Sequence, residues 1–145
     1  MNLAALFVAG TAAMENGAIN ATAIPTTSYA VEQIPLWLKV PVVVAVHTPR
    51  GGEYDPTLYV IAKDAEGTPR GALKFAWQWP DEDGQPSKYR CFTGEFSFSV
   101  EAVGEYTIGV YRDTDASDGV GAPIPFFVML RGPGSTNNGA TTAAL

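Results

Sequence analysis

The sequence predicts an all-β fold, a two-sheet antiparallel sandwich of immunoglobulin-like or jelly-roll type with about eight strands. Two observations support this prediction. Apolar and polar residues alternate through several short segments, the pattern of a strand with one buried face. Clusters of Gly, Pro, Asn and Asp separate these segments at regular intervals. No convincing helix is predicted, because no long segment carries the period of an amphipathic helix.

The most regular alternation runs through residues 95–113. Phe96 and Phe98 share one face of a first predicted strand, and Tyr106 and Ile108 share one face of a second, with Gly104 in the turn between them. We expect an antiparallel hairpin whose apolar face is covered by a second sheet. Tyr106 follows a turn glycine and precedes a core position by two residues, which is where immunoglobulin-like folds place a tyrosine corner.

The other predicted strands are bounded by turn residues. They are residues 3–8, 18–24, 39–48, 57–64, 72–79 and 123–130. The Asn16-Gly17 dipeptide supports the turn before the second of these strands. Residues 26–38 are expected to form an irregular crossing, with at most one helical turn at 30–33. Pro41 is placed at the beginning of its strand, where a missing N–H is harmless.

The length and the C-terminal composition predict one domain and one tail. A chain of 145 residues is long enough to bury a core without disulfide or metal staples. Residues 1–130 are expected to form this β-sandwich domain. Residues 131–145 are rich in Gly, Thr and Ala and lack apolar periodicity, so we expect a flexible tail.

The charge pattern restricts partners and location. The chain has 15 acidic and 9 basic side chains, a formal net charge of −6, and nucleic-acid binding needs a basic surface instead. The apolar N-terminal segment is too short to span a membrane. It also lacks the basic residues of a secretory signal, since the first basic residue is Lys39. We therefore expect no nucleic-acid or membrane partner, and a protein that is cytoplasmic or assembled into a particle made in the cytoplasm.

Residue types that carry catalytic chemistry are sparse. Cys91 is the only cysteine, which excludes an intrachain disulfide, and we interpret it as a small hydrophobe. His47 is the only histidine, whereas nitrogen-ligand metal sites and catalytic triads need further oriented groups. We predict that the protein is not an enzyme. A carboxylate-dependent hydrolase is an alternative, because two carboxylates can converge from distant strands.

The best metal candidate is the polar segment 113–121. Asp113, Asp115 and Asp118 supply oxygen ligands on a loop with a following glycine, a composition that resembles a calcium loop. The spacing departs from that of an EF-hand, and Asp, Ser and Gly are also typical of any long loop. Calcium is thus the one cofactor that the sequence suggests, against the simpler interpretation of a hydrogen-bonded loop.

A line of aromatic residues gives a second candidate site. Phe75, Trp77 and Trp79 fall on one face of a predicted strand. If Trp77 and Trp79 are exposed, they would form a sugar-stacking platform, as in a carbohydrate-binding module. The simpler interpretation is that these rings form a core face. We favour it because burial of the rings stabilises the fold by several kcal/mol in order of magnitude.

Three segments carry a resemblance to a known group of proteins. They are residues 58–69 (LYVIAKDAEGTP), 94–113 (GEFSFSVEAVGEYTIGVYRD) and 123–128 (PIPFFV). Their layout resembles a family of small, uncharacterised actinobacterial β-sandwich proteins, including ones carried by actinophages. The resemblance implies a sandwich fold and no known activity or catalytic residue.

These observations favour a non-enzymatic protein. Low charge, proline-bounded strands and a polar tail are typical of β-sandwich assembly units, whose edges and loops contact neighbours. We predict a structural or assembly component that acts through protein–protein contacts, with a protein partner or by self-assembly. A decoration or minor structural protein of a virus particle is an example. A carbohydrate-binding module and the carboxylate hydrolase are the alternatives.

Overall fold

The computed structural model describes residues 1–132, which form ten strands rather than about eight. They are β1 (Asn2–Val8), β2 (Thr11–Glu15), β3 (Ala18–Thr22), β4 (Ser28–Val31), β5 (Leu36–Pro49), β6 (Thr57–Lys63), β7 (Pro69–Ala76), β8 (Ser87–Val100), β9 (Gly104–Tyr111) and β10 (Ile124–Leu130). This part of the chain contains no helical segment, so the all-β prediction is confirmed. Within it, no helix of membrane-spanning length and hydrophobicity exists.

The strands form two larger sheets and one small hairpin. The order is β1-β5-β8 in a three-stranded sheet and β4-β10-β9-β6-β7 in a five-stranded sheet, while β2 pairs with β3. Every pair is antiparallel except β4 and β10, which run parallel from Phe127 beside Ser28 to Leu130 beside Val31. The expectation of purely antiparallel pairing is therefore wrong at this pair.

Side chains from both larger sheets share one hydrophobic core. Alternate residues of β5, such as Val42 and Val44, and of β8, such as Phe96, are nearly inaccessible to solvent. They lie in the same cluster as Leu58 of β6 and Phe126 of β10. Burial of this apolar surface is the main stabilising contribution to the fold.

The segment predicted as a hairpin instead connects the two sheets. β8 pairs with β5 in the three-stranded sheet, whereas β9 lies between β10 and β6 in the five-stranded sheet. Both strands have the predicted apolar face, and Phe98 and Ile108 are fully buried. The alternation of apolar and polar residues in a strand depends only on which face of the strand is buried. The pattern is therefore the same whether the next strand pairs with it or crosses to the other sheet.

Two further expectations are wrong in the first third of the chain. Residues 26–38 contain β4 instead of a helical turn at 30–33. Pro41 lies inside β5, not at its beginning. Its carbonyl accepts the N–H of Ala9 at 2.9 Å, just after β1 ends. A proline is tolerated here because the N–H that it lacks would point towards β1, and the pairing of β1 with β5 ends at this position.

Two features near the ends of the described chain add to the predicted arrangement. β2 adds a strand before the Asn16-Gly17 turn, whose two residues both have the positive φ that such turns require. At the other end the Arg131 N–H donates to the Val31 carbonyl at 2.7 Å, so the first residue of the predicted tail is attached to β4. The rest of that tail, from residue 133, lies outside the described residues.

Candidate functional site

The Asp113 carboxylate is occupied by its own loop. It accepts hydrogen bonds from the Ser117 hydroxyl at 2.6 Å and from the backbone N–H groups of Ser117 and Asp118, at 3.1 and 2.9 Å for its Oδ1 atom. These donors, the Ser117 hydroxyl first, hold the pKa of Asp113 below its ordinary value. Among residues 1–132, no group of three His, Cys, Asp or Glu side chains is placed to hold a metal ion. Calcium binding by Asp113, Asp115 and Asp118 stays a prediction.

The loop after β9 has a clear structural role. Ala116 is 3% exposed and packs with Ile61 and Tyr111 in a small apolar cluster. These two residues lie on the outer face of the five-stranded sheet, so the loop covers part of that face. Lys63 fixes the loop by donating to the Ala116 carbonyl at 2.7 Å. The other part of the face, along β10, has no such cover from the described residues.

The two tryptophans do not form a flat exposed platform. β7 ends at Ala76, so Trp77 and Trp79 follow the strand, and Trp79 is only 2% exposed. The two rings meet edge to face, with centroids 5.4 Å apart and planes at 61°. Sugar stacking by this pair needs exposed, coplanar rings, which this geometry does not provide. The indole N–H groups of both are buried without a hydrogen-bond acceptor among the described residues.

A buried lysine lies beside this aromatic pair. Lys88 on β8 forms an ion pair with Asp81 at 3.1 Å and donates to the carbonyl of Trp79. Its ammonium group is 4.2 Å from the centroid of the Tyr54 ring, a cation–π distance. Asp81 also accepts from the Gly51 N–H and the Tyr54 hydroxyl. The Lys88 ammonium group and both Asp81 carboxylate oxygens have internal partners, which makes this a structural cluster rather than an open site.

Another ion-pair cluster ties the first residue to the end of β9. Arg112 forms a two-pronged contact with Glu53, with distances of 2.7 and 3.1 Å, and the Met1 ammonium group lies 3.0 Å from the same carboxylate. The Arg112 hydrogen bond is the largest cause that lowers the pKa of Glu53 to about 2. His47, the lone histidine, stacks on Tyr89 at 5.1 Å and belongs to neither cluster.

An apolar groove opens between β1 and β10. Its cavity has a volume of about 410 Å³, within the range of ligand pockets. The floor is formed by buried Leu6 and Phe126 with half-buried Phe7 and Ile124, and Phe127 lies on the rim. This groove gives access to the side of the hydrophobic core, because both buried residues are members of the main cluster.

Two crossings of the chain limit the groove. Residues 26 and 27 bridge the sheets, since the Thr26 N–H donates to Val8 at 2.8 Å and the Phe127 N–H donates to Thr27 at 3.0 Å. Beyond the other end, Gly121 lies so close to Leu3 that an added Cβ would be 2.7 Å from the Leu3 side chain. Between these crossings the edges of the two sheets are separated by the groove.

The β10 edge at the groove carries few hydrogen-bond donors. The Phe127 N–H points away from β9, towards Thr27, and residues two apart in a strand point to the same side. Pro125 is the next residue that would direct its N–H to this edge, and proline has none. A proline at an open edge disfavours strand addition. This part of the groove is therefore suited to side-chain contacts.

The outer face of β10 continues the apolar surface from the groove. Pro125, Phe127 and Met129 alternate on this face, and the two larger side chains are 46% and 37% exposed. We call these three residues the β10 stripe. A contiguous apolar area on a sheet face, connected to an apolar groove, is the type of surface that marks an interaction site.

The comparisons with known proteins add no relative. No protein-family model matches the chain, and no curated protein or solved structure matches it at a significant level. The resemblance to small actinobacterial sandwich proteins thus stays a prediction. The candidate surface rests on the geometry of the chain itself.

The groove and the β10 stripe were not predicted from the sequence, although one signal for them was present. The segment PIPFFVML at residues 123–130 is apolar at consecutive positions instead of alternate ones. Such a strand exposes apolar side chains on both faces of its sheet. Phe126 turns to the core and Phe127 to the outside. The contribution of β1 to the groove depends on the three-dimensional pairing of the strands, and no local pattern indicates it.

Proposed function

We propose that this chain is a non-enzymatic structural or assembly component that contacts another protein through the β10 stripe and the groove beside it. The observation that carries the proposal is the exposure of Phe127 and Met129 on a sheet face whose other part is covered by the Asp113–Gly121 loop. Leaving two large apolar side chains in water forfeits the stabilisation that their burial in an interface supplies. Virion decoration and minor structural proteins are members of this functional class.

We also infer that the two larger sheets form a sandwich of the immunoglobulin-like kind. Support comes from their shared core and from Tyr106, whose hydroxyl donates to the Ala102 carbonyl at 2.7 Å. A tyrosine that bonds to the backbone a few residues upstream, where the chain crosses between sheets, matches the tyrosine corner of such domains. Sandwiches of this kind commonly bind partners through the loops at their ends.

The test compares two full-length variants of the immobilised protein. Phe127→Ser with Met129→Ser removes the large side chains of the β10 stripe. Trp37→Ser is the matched control, since Trp37 is 68% exposed on β5 but has polar neighbours in Ser99 and Lys39. The capture of proteins from the native lysate and the self-association of the purified chain are both measured. We expect the double variant alone to lose a partner or to reduce self-association.

The proposal fails if the double variant and the unmodified chain capture the same proteins and have the same oligomeric state up to about 1 mM, the upper range of weak contacts. A loss of binding in Trp37→Ser instead would move the contact to the three-stranded sheet. The folded state of each variant is checked by its thermal transition.

A further inference from the structure

The structure also indicates the chemistry of the partner, in an inference that rests on the proposed function. We propose that the groove between β1 and β10 receives a large apolar side chain from a positively charged segment of a different protein. Four observations support this assignment: the apolar floor of the groove, the carboxylate on its rim, the unneutralised acidic surface beside it and the charge of the chain itself.

The groove is suited to an apolar anchor. Leu6, Ile124 and Phe126 form an apolar floor that leads to the hydrophobic core. A side chain that enters it exchanges water for apolar contacts with this floor, and well-packed apolar side chains of this kind commonly dominate binding energy. Because Pro125 removes a donor from the neighbouring edge, side-chain insertion is favoured over addition of a complete strand.

Among the described residues, Glu105 is the only charged one that lines the groove. It is exposed on β9, opposite Phe127 in the strand register, so its carboxylate stands at the mouth of the groove beside the β10 stripe. No ion pair within 4.0 Å joins it to a cation of residues 1–132. The nearest lysine by register is Lys63, which is opposite Thr107, but its ammonium group donates to the Ala116 carbonyl and lies over the Tyr111 ring.

The acidic surface extends from Glu105 into a neighbouring depression. That depression is lined by Asp64, Glu66, Glu101 and Glu105 and by one cation, Arg70. Arg70 contacts Asp64 at 2.8 Å and Glu101 at 3.6 Å, so its charge offsets only part of theirs. The four carboxylates (−4) and the one guanidinium group (+1) together carry a charge of −3. A field of this sign attracts Lys and Arg and repels acidic segments.

A second copy of this chain is a poor occupant. The net charge of −6 makes any two copies repel, and each copy would bring its own acidic depression to the contact. A partner with basic residues next to an aromatic or long aliphatic side chain has the complementary chemistry. The apolar side chain fills the groove and the cation lies beside Glu105.

The test uses three capped hexapeptides with the full-length chain. Gly-Lys-Leu-Phe-Lys-Gly carries the anchor and the cations, Gly-Glu-Leu-Phe-Glu-Gly reverses the charge, and Gly-Lys-Ser-Gly-Lys-Gly removes the anchor. Binding is followed by amide chemical shifts in NMR titrations up to about 5 mM, which covers weak single-anchor contacts. We expect the first peptide to shift the resonances of Leu6, Phe126 and Phe127. We expect it to bind about three- to tenfold more tightly than the second, and the third to bind least.

Charge reversal at single sites of the protein distinguishes the effect of the Glu105 carboxylate on peptide binding from the effect of the net charge of the chain. Glu105→Lys changes the charge of this acidic surface from −3 to −1 and should remove most of the preference for the basic peptide. Glu95→Lys makes the same change on the outer face of the three-stranded sheet, where Glu95 is 68% exposed, and should leave the preference unchanged. Both sites are exposed, and well-dispersed amide spectra confirm that each variant is folded.

Several results would overturn the inference. It fails if none of the peptides binds, if the acidic peptide binds the unmodified chain as well as the basic one does, or if the shifts lie away from the groove. It also fails if Glu105→Lys and Glu95→Lys have the same effect. If the Phe127→Ser/Met129→Ser variant still loses its partner in these cases, the proposed function through the β10 stripe is retained. Only the chemistry assigned to the partner is then wrong.

Discussion

The hydroxyl of Tyr106 donates a hydrogen bond to the carbonyl of Ala102 at 2.7 Å, and this contact spans the crossing between the two larger sheets. Tyr106 is 3% exposed in the shared core, and its ring lies 5.5 Å from that of Phe98 at the end of β8. One side chain thus ties the end of β8, the connecting turn and the beginning of β9. These contacts restrain the turn that connects β8 to β9.

Tyr106→Phe should lower the free energy of unfolding by about 1 to 2 kcal/mol, since a buried hydroxyl bond is lost while the ring stays packed. Tyr89→Phe is the control, because Tyr89 is 64% exposed and stacks on His47. We expect that variant to change stability by less than about 0.5 kcal/mol. Denaturant unfolding measures both. Equal stabilities of the two variants would contradict the role of the Tyr106 contact.

The burial of single strands could be predicted from the sequence, but the pairing of strands could not. Phe96, Phe98 and Ile108 are each fully buried, as their alternation indicates. The hairpin prediction for residues 95–113 was wrong because alternation shows only that one face is covered. Long-range packing determines which strand becomes its hydrogen-bonded neighbour. Pro41 shows the same limit, since only the end of β1 explains why β5 tolerates it.

The candidate surface was less predictable than the fold. Composition drew attention to Asp113 and to Trp79, but the first is bonded within its own loop and the second is buried. The donors to Asp113 follow it by four and five residues in the same loop, whereas Trp79 is buried by core residues of several strands. The groove joins β1 to β10, more than 100 residues apart in sequence. Only the geometry of the open sheet edges shows that these segments share one surface.

Gly71→Ala should disrupt the approach of the two sheets at β7 and β8. An added Cβ at Gly71 would be 2.4 Å from the Ser97 carbonyl oxygen, a backbone atom that cannot move independently. We expect a loss of about 2 to 3 kcal/mol in the free energy of unfolding. Gly94→Ala is the matched control, because the nearest atom to its Cβ would be the flexible end of Leu73 at 3.2 Å, with the Phe75 ring at an ordinary contact distance of 3.8 Å. A Gly71→Ala variant as stable as Gly94→Ala would mean that the two strands are farther apart than described.

Lys88→Met should destabilise the fold strongly although it replaces a charge with an apolar side chain of similar length. The Lys88 side chain is 3% exposed, and its removal leaves Asp81 without its cation and the Trp79 carbonyl without its donor. We expect the free energy of unfolding to fall by about 3 kcal/mol, the lower end of the range for breaking a buried ion pair. The lower end applies because Asp81 keeps its hydrogen bonds to Gly51 and Tyr54.

The control for this variant is a surface lysine. Lys39 is 62% exposed and lies 3.8 Å from Glu95, so Lys39→Met should change the free energy of unfolding by less than about 1 kcal/mol. Thermal and denaturant unfolding compare the two variants. Similar losses for both would show that burial of the Lys88 ammonium group contributes little.

Stability should fall in acid as Glu53 takes up a proton. The hydrogen bond from Arg112, opposed by burial and aided by the Met1 ammonium group, lowers the pKa of Glu53 from 4.5 to about 2 in the folded chain. The unfolded chain therefore binds this proton at a higher pH than the folded chain does. The contribution of Glu53 to stability is present in full above pH 4.5 and is lost as the pH falls towards 2. Asp81, whose pKa is lowered from 3.8 to about 2, adds to the same slope.

Glu53→Gln isolates this contribution. The variant should have a lower Tm than the unmodified chain at pH 7, and the difference should shrink as the pH approaches 2, because both chains then lack the carboxylate charge. Glu95→Gln, at an exposed site, should follow the unmodified chain throughout. Calorimetry at successive pH values measures the three profiles. A Tm difference for Glu53→Gln that stays constant from pH 7 to about 2 would show that Glu53 acts through its shape and neutral hydrogen bonds, and not through its charge.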